Sequence, residues 1–137
     1  MADLLQDIAE YLDYQEVKNE EGIFLDFTPD EPDSVVVLYE YEGSATTPGT
    51  EGVVRRFQVT VRSEADKPDD ARQKAWEVFN TLDRLDKVFD LREVDDEEFE
   101  SQRWGVLSAL QTPHKIKVDE NGRTIYGFNM TMVTHRD

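Results

Sequence analysis

Residues 29–85 read PDEPDSVVVLYEY (29–41), EGSATTPGTEG (42–52), VVRRFQVTVR (53–62) and, after a short link, PDDARQKAWEVFNTLDRL (68–85). The order is strand, polar loop, strand, amphipathic helix. In 53–62, Phe57, Val59 and Val61 alternate with Arg56, Gln58, Thr60 and Arg62, so one face meets the core and the other meets water or a partner. In 34–41, Val35, Val37, Tyr39 and Tyr41 oppose Val36, Leu38 and Glu40. Both faces begin apolar, which predicts a central strand covered at its start on both sides. A hairpin closes with as few as two turn residues, yet about ten polar residues stand between these strands. Gly43, Ser44, Ala45, Thr46, Thr47, Pro48, Gly49, Thr50 and Glu51 offer little to a core, so the loop is expected to be floppy and to serve something outside the fold.

Working outward, Leu4, Leu5, Ile8, Tyr11 and Leu12 fall on one face of a predicted first helix, with Asp3 as its N-cap and an end near Tyr14. A short extended piece, 23–27, follows. The prolines of 28–33 then keep the backbone extended into the central strand. In the second helix Pro68 suits the first turn, and Ala71, Ala75, Val78, Phe79, Leu82 and Leu85 make a continuous apolar stripe with Trp76 beside it. Asp69 and Asp70 at its start, and Arg84 and Lys87 near its end, suit the helix dipole.

Residues 89–101 read as a charged connector. Residues 104–110 read as a strand, with a short helix as the alternative. Residues 115–118 and 123–134 form a hairpin around Asn121-Gly122, and Tyr126, Phe128, Met130 and Met132 share one face of its second strand. The expectation is one α+β domain spanning 1–137. Its antiparallel or mixed β-sheet is packed by two main helices in the order α-β-β-β-α-β-β-β.

The chain has 137 residues, 38% of them hydrophobic, with 31 Asp and Glu against 15 Lys and Arg, a formal net charge of −16. That balance opposes non-specific binding to nucleic acid and to anionic membrane. It fits solubility and mutual repulsion of monomers, or a surface past which DNA must slide without sticking. There is no cysteine, hence no disulfide framework, thiolate metal site or Cys nucleophile. The acidic N-terminus does not read as a signal peptide, and no stretch approaches the ~20 apolar residues that span a bilayer. The reading is a soluble, intracellular chain.

Chemistry is sparse in the sequence. His114 and His135 lack partners at metal-ligand spacing, and no nucleophile elbow, phosphate loop or dinucleotide turn is present. Asp95, Asp96, Glu97, Glu98 and Glu100 could gather a divalent cation, but they lack the alternation and glycine of a calcium loop and fit a solvated connector. The expectation is no enzyme, no catalytic residues, no cofactor and no metal. Arg55, Arg56 and Arg62 form the one basic cluster. It is read either as an inter-subunit contact, arginines of one copy meeting acids of the next, or as a solvated outer sheet face.

The segments PDEPDSVVVLYEY, the Gly/Pro loop, RRFQVTVR and DDARQKAWEVFNTL, with the later ALQTP and DENGRTIYGFNM, resemble minor capsid proteins of long-tailed bacteriophages. They are similar to the tail terminators, also called tail completion or tail-to-head joining proteins, from the first helix to the last strand. The resemblance implies a homo-oligomer, a hexameric ring on the head-proximal end of a completed tail tube. The ring would stop tube polymerisation and offer a surface to the neck or head completion protein. It would let genomic DNA through without specific binding and touch no membrane. It also implies a place in the virion, with assembly in the bacterial host cytoplasm, and puts 43–51 against the tube protein. Two rivals stay open: another neck or head completion (connector) protein, and an acidic DNA-mimic inhibitor.

Overall fold

The computed structural model describes residues 4–17, 22–40, 45–46, 52–83, 86–88 and 105–135. The elements are α1 (Leu4–Tyr14), β1 (Ile23–Leu25), β2 (Val35–Glu40), β3 (Ala45–Thr46), β4 (Gly52–Arg62), α2 (Pro68–Leu82), β5 (Asp86–Val88), β6 (Gly105–Ala109), β7 (His114–Val118) and β8 (Thr124–His135). The fold is α+β, as its segregated strands predict. Two helices pack on a mixed sheet in the order β1-β2-β4-β8-β6-β5, with β3 added to β4 and β7 to β8. Only β1 and β2 run parallel among the pairs formed.

The two long strands form the spine. β4 and β8 pair antiparallel from Gly52↔His135 to Arg62↔Ile125 without a register shift. Alternation then decides which side chains enter the core. Phe57, Val59 and Val61 of β4, Phe128, Met130 and Met132 of β8, Val36 and Leu38 of β2 and Leu107 of β6 are buried on the helix side. Ala71, Ala75, Val78 and Leu82 of α2 close over them, and Leu5, Ile8 and Leu12 of α1 cover the β2 side. Each fully buried Leu, Val or Phe stabilises the fold by about 1.5–3 kcal/mol. Val35 and Val37, on the opposite face of β2, are also buried, so β2 is covered on both sides as its double apolar pattern requires.

The helix ends follow local rules. α1 stops in a Schellman turn: Glu16 adopts φ 61°, its N–H donates to Asp13 O at 3.0 Å, and Val17 N–H donates to Leu12 O at 2.8 Å. Buried Val17 joins Leu12 in the core, the contact that accompanies such a cap. α2 starts with Pro68 in its first turn, with Asp69 and Asp70 following, and ends at Leu82. It stops short of the expected Leu85 because Asp83 turns extended, with its N–H still bonded to Phe79 O. Lys87 consequently lies in β5 rather than beside the helix end. Asp3, Arg84 and Leu85 lie outside the described residues. The hairpin at 119–122 forms as expected. Gly122 N–H donates to Asp119 O at 3.0 Å, and Asp119 Oδ1 accepts from the N–H of Asn121 and of Arg123, both at 2.9 Å.

Gly127 leaves room for Ile116 to pack closely on the open face. A Cβ there would lie 2.6 Å from Val59 O and 2.7 Å from Ile116 Cδ1. Ile116 sits at an irregularity of β7, where Lys115 pairs with Tyr126 and Lys117 with Ile125, and its side chain crosses over the glycine. Gly127→Ala is therefore expected to cost about 1–3 kcal/mol, measured as a lower urea midpoint. Adding Ile116→Ala should recover only part of that, because the clash with the Val59 carbonyl remains. Full recovery would place the strain in the side chain alone.

Candidate functional site

The three arginines of β4 do not form one basic surface. Arg55 shares the helix-side face with Phe57. Its Nη2 donates to both carboxylate oxygens of Glu40, at 2.7 and 2.6 Å, and both side chains are half-buried. Glu40 faces Phe57 in the β2–β4 register, so this ion pair closes the core where the helices stop covering it. Arg56 is half-buried on the other face, opposite Thr131 of β8.

Arg62 departs from the expectation of an outward, partner-facing side chain. Only 5% of it is exposed, and its guanidinium turns inward beneath the 29–33 segment. Nε donates to Asp33 O at 2.9 Å, and Nη2 reaches Pro29 O at 2.8 Å, Pro32 O at 2.7 Å and Asp30 O at 3.2 Å. That segment contains two prolines and lies outside the sheet ladder, so its carbonyls need another donor. The planar fork of one arginine supplies it. A face that alternation marks as outward is thereby covered by chain that follows β1.

A second arginine, missed in the sequence, completes the clamp. Arg123, just past the hairpin turn, donates from Nη1 to Asp30 O at 2.6 Å and to Asp33 Oδ1 at 3.1 Å, and from Nε to Asp119 Oδ2 at 2.8 Å. Burial and the neighbouring Arg123 charge lower the Arg62 pKa despite the nearby acids. For Arg123, burial acts downward but the hydrogen bonds to Asp119 and Asp33 win and raise it. Asp119 is a similar contest. Burial pushes its carboxyl up, yet the hydrogen bonds from the Arg123 backbone and side chain hold it below the ordinary aspartate range.

The clamp borders a groove of about 380 Å³ on the face opposite the helices, lined by Val35, Tyr39, Gln58, Thr60, Ile116 and Ile125, with Arg62 and Asp119 at one end. Thr28 and Tyr39 join their hydroxyls across its rim. Lys117 also lines it, so three charged side chains share the groove with neutral polar and aliphatic ones. Among the described residues no group of His, Cys, Asp or Glu is placed to hold a metal ion, and no helix is long and apolar enough to cross a membrane. His114 is exposed on β7. The acids of 95–100 lie outside the described residues, as do Gly43, Ser44 and 47–51 of the polar loop. Ala45 and Thr46 are described, and they correct the picture of an unstructured loop. They pair with Val54 and Val53, extending the hairpin beyond the last β2–β4 pair at Glu40↔Phe57.

Arg62→Leu should lower stability by about 1–3 kcal/mol, because the hydrogen bonds of a buried guanidinium to the 29–33 carbonyls are lost, and Arg62→Lys should recover little of it. An Arg62→Leu protein with the wild-type urea midpoint would contradict the clamp. Asp119 adds an acid-side signature. A depressed carboxylate contributes stability that is complete above its unfolded pKa of about 3.9 and is lost as pH falls through the lower folded value. Asp119→Asn keeps the turn acceptor but cannot titrate, so unfolding curves below about pH 4 should show a shallower loss than wild type.

The sequence matches the family described as Bacteriophage tail terminator protein over residues 5–136. No curated protein matches it. Among solved structures, a chain from the virion of a native gene transfer agent particle is similar at 19% identity and TM-score 0.59, over 82% of this chain and 78% of that one. At that identity the likeness is one of fold. The family match covers nearly the whole chain, so the protein belongs to the bacteriophage tail terminator family, a family of structural tail proteins.

Proposed function

We propose that the chain caps the head-proximal end of a phage tail tube as a hexameric ring, stops tube polymerisation and offers the seat for the neck or head completion protein. The carrying observation is the family match over residues 5–136 on a fold whose β3–β4 hairpin runs on past its β2 partner. The likeness to a chain of a gene transfer agent virion also fits a virion component. The ring acts by binding and shape rather than by catalysis, and it takes shape in the host cytoplasm. Its net charge of −16 keeps DNA phosphates from lodging on it as the genome passes.

The loop 43–51 is the part that meets the tube protein, and Arg56, with the half-buried Arg55, sits on the strand that follows it. Arg62 is spent on carbonyls of its own chain and Arg55 on Glu40, so the inter-subunit reading of the β4 arginines narrows to Arg56. A neck or connector protein is the second reading, since a virion-like fold suits any ring in the neck. An acidic DNA mimic accounts for the charge and leaves the extended hairpin without a task.

The register supplies a clean test, because Thr46 pairs directly with Val53. Replacing residues 47–52 by Asn-Gly joins that pair through a two-residue turn suited to antiparallel strands. The shortened protein should fold with an unchanged melt yet cap tubes poorly, giving overlong tails or tails that fail to join heads. Normal capping and joining would move the tube contact to another surface.

A further inference from the structure

The two lateral edges of the sheet carry opposite charge. At one edge, β7 shows His114, Lys115 and Lys117 exposed; residues 110–118 contain no acid, and Asp119 and Glu120 follow directly. Lys115 and Lys117 have no ion-pair partner among the described residues. Apolar surface accompanies them: Leu110 is 54%, Ile116 40% and Val118 48% exposed. β7 pairs only with β8 among the described strands. Its irregularity at Ile116 and its lysines discourage another strand from adding to it, so this edge presents side chains rather than a ladder.

At the other edge, β1 is flanked by α1, which sets Glu10 and Asp13 beside Gly22 and Ile23. Asp26 follows β1, with Phe27 56% exposed after it. Residues 4–17 and 22–40 contain no lysine or arginine, Lys18 lies between them, and Glu10 and Asp13 also take part in interactions within the chain. A chain with net charge −16 repels its own copies unless its few exposed bases meet acids, and here both sit at opposite ends of one sheet.

We propose that the β7 edge of one copy docks on the α1–β1 edge of the next, lysines toward carboxylates and Ile116 and Val118 toward the exposed apolar residues around Phe27. Two different surfaces then meet head to tail, a heterologous contact that closes into a ring when the rotation per copy allows. The charges select the partner and its orientation, and the apolar residues supply burial. This contact rests on the ring reading above and adds to it a surface away from β4.

The test is charge exchange, read by size-exclusion chromatography with light scattering on the full chain, alone and with tail tubes. K115E/K117E should stay monomeric, and so should E10K/D13K, whose lysines suit the C-terminal half of α1. Both should keep the wild-type melt. Mixed in equal amounts, they should regain the wild-type assembly, because each copy then offers a matching edge to the other. Should K115E/K117E fail to fold, K115Q/K117Q should raise the concentration needed for assembly at least tenfold. Rings from K115E/K117E alone, unchanged assembly of K115Q/K117Q, or a monomeric mixture while wild type forms rings would overturn this surface and leave the ring reading standing. Wild-type protein that stays monomeric even on tail tubes would overturn both.

Discussion

β4 and β8 hold one register from Gly52↔His135 to Arg62↔Ile125, and β2, β3, β6 and β7 each pair directly with one of them, with β1 and β5 added outside β2 and β6. A one-residue slip along this pair would move Phe57, Val59, Phe128 and Met130 from the core to the open face and break the fold. Gly127 lies within the run, where any side chain would meet the Val59 carbonyl. The same register fixes the hairpin beyond β2, because β3 pairs with the stretch of β4 that β8 also supports. The feature proposed to meet the tube is thus an extension of the spine.

Scarce positive charge is used with economy in this acidic chain. Arg62 and Arg123 lie inside, where they satisfy carbonyls of a proline-bearing segment that no strand can serve. Arg55 closes the helix-side face against Glu40. These arginines hold the chain's own acidic stretches in place, and Lys115 and Lys117 stay exposed at the sheet edge.

Much of the fold was legible in alternation and periodicity. The stripe of α2, the two-sided burial of β2, the strand at 105–109 and the Asn-Gly hairpin follow from local patterns, and the structure keeps them. β3 and β5 were not legible: Ala45–Thr46 sits among turn residues and Asp86–Val88 in a charged run, so neither carries a period. Arg62 was placed on the right face and given the wrong role, because its cover comes from chain about thirty positions earlier, a distance that no strand period reports. The available signal was the pair Pro29 and Pro32, which implies carbonyls in need of a donor. Arg123 went unread for the same reason. Besides the local Asp119, its partners are Asp30 and Asp33, remote in sequence and brought near only by the sheet.

Membership of the tail terminator family and the geometry of the sheet meet in one claim, that copies of this chain close a ring on one end of a tail tube. Electron microscopy of purified tail tubes incubated with the full-length protein tests it most directly. The expected result is a single ring of density at one end of each tube, with six-fold symmetry in end-on views and no further growth from that end. Tubes decorated along their length, or bare at both ends, would contradict it.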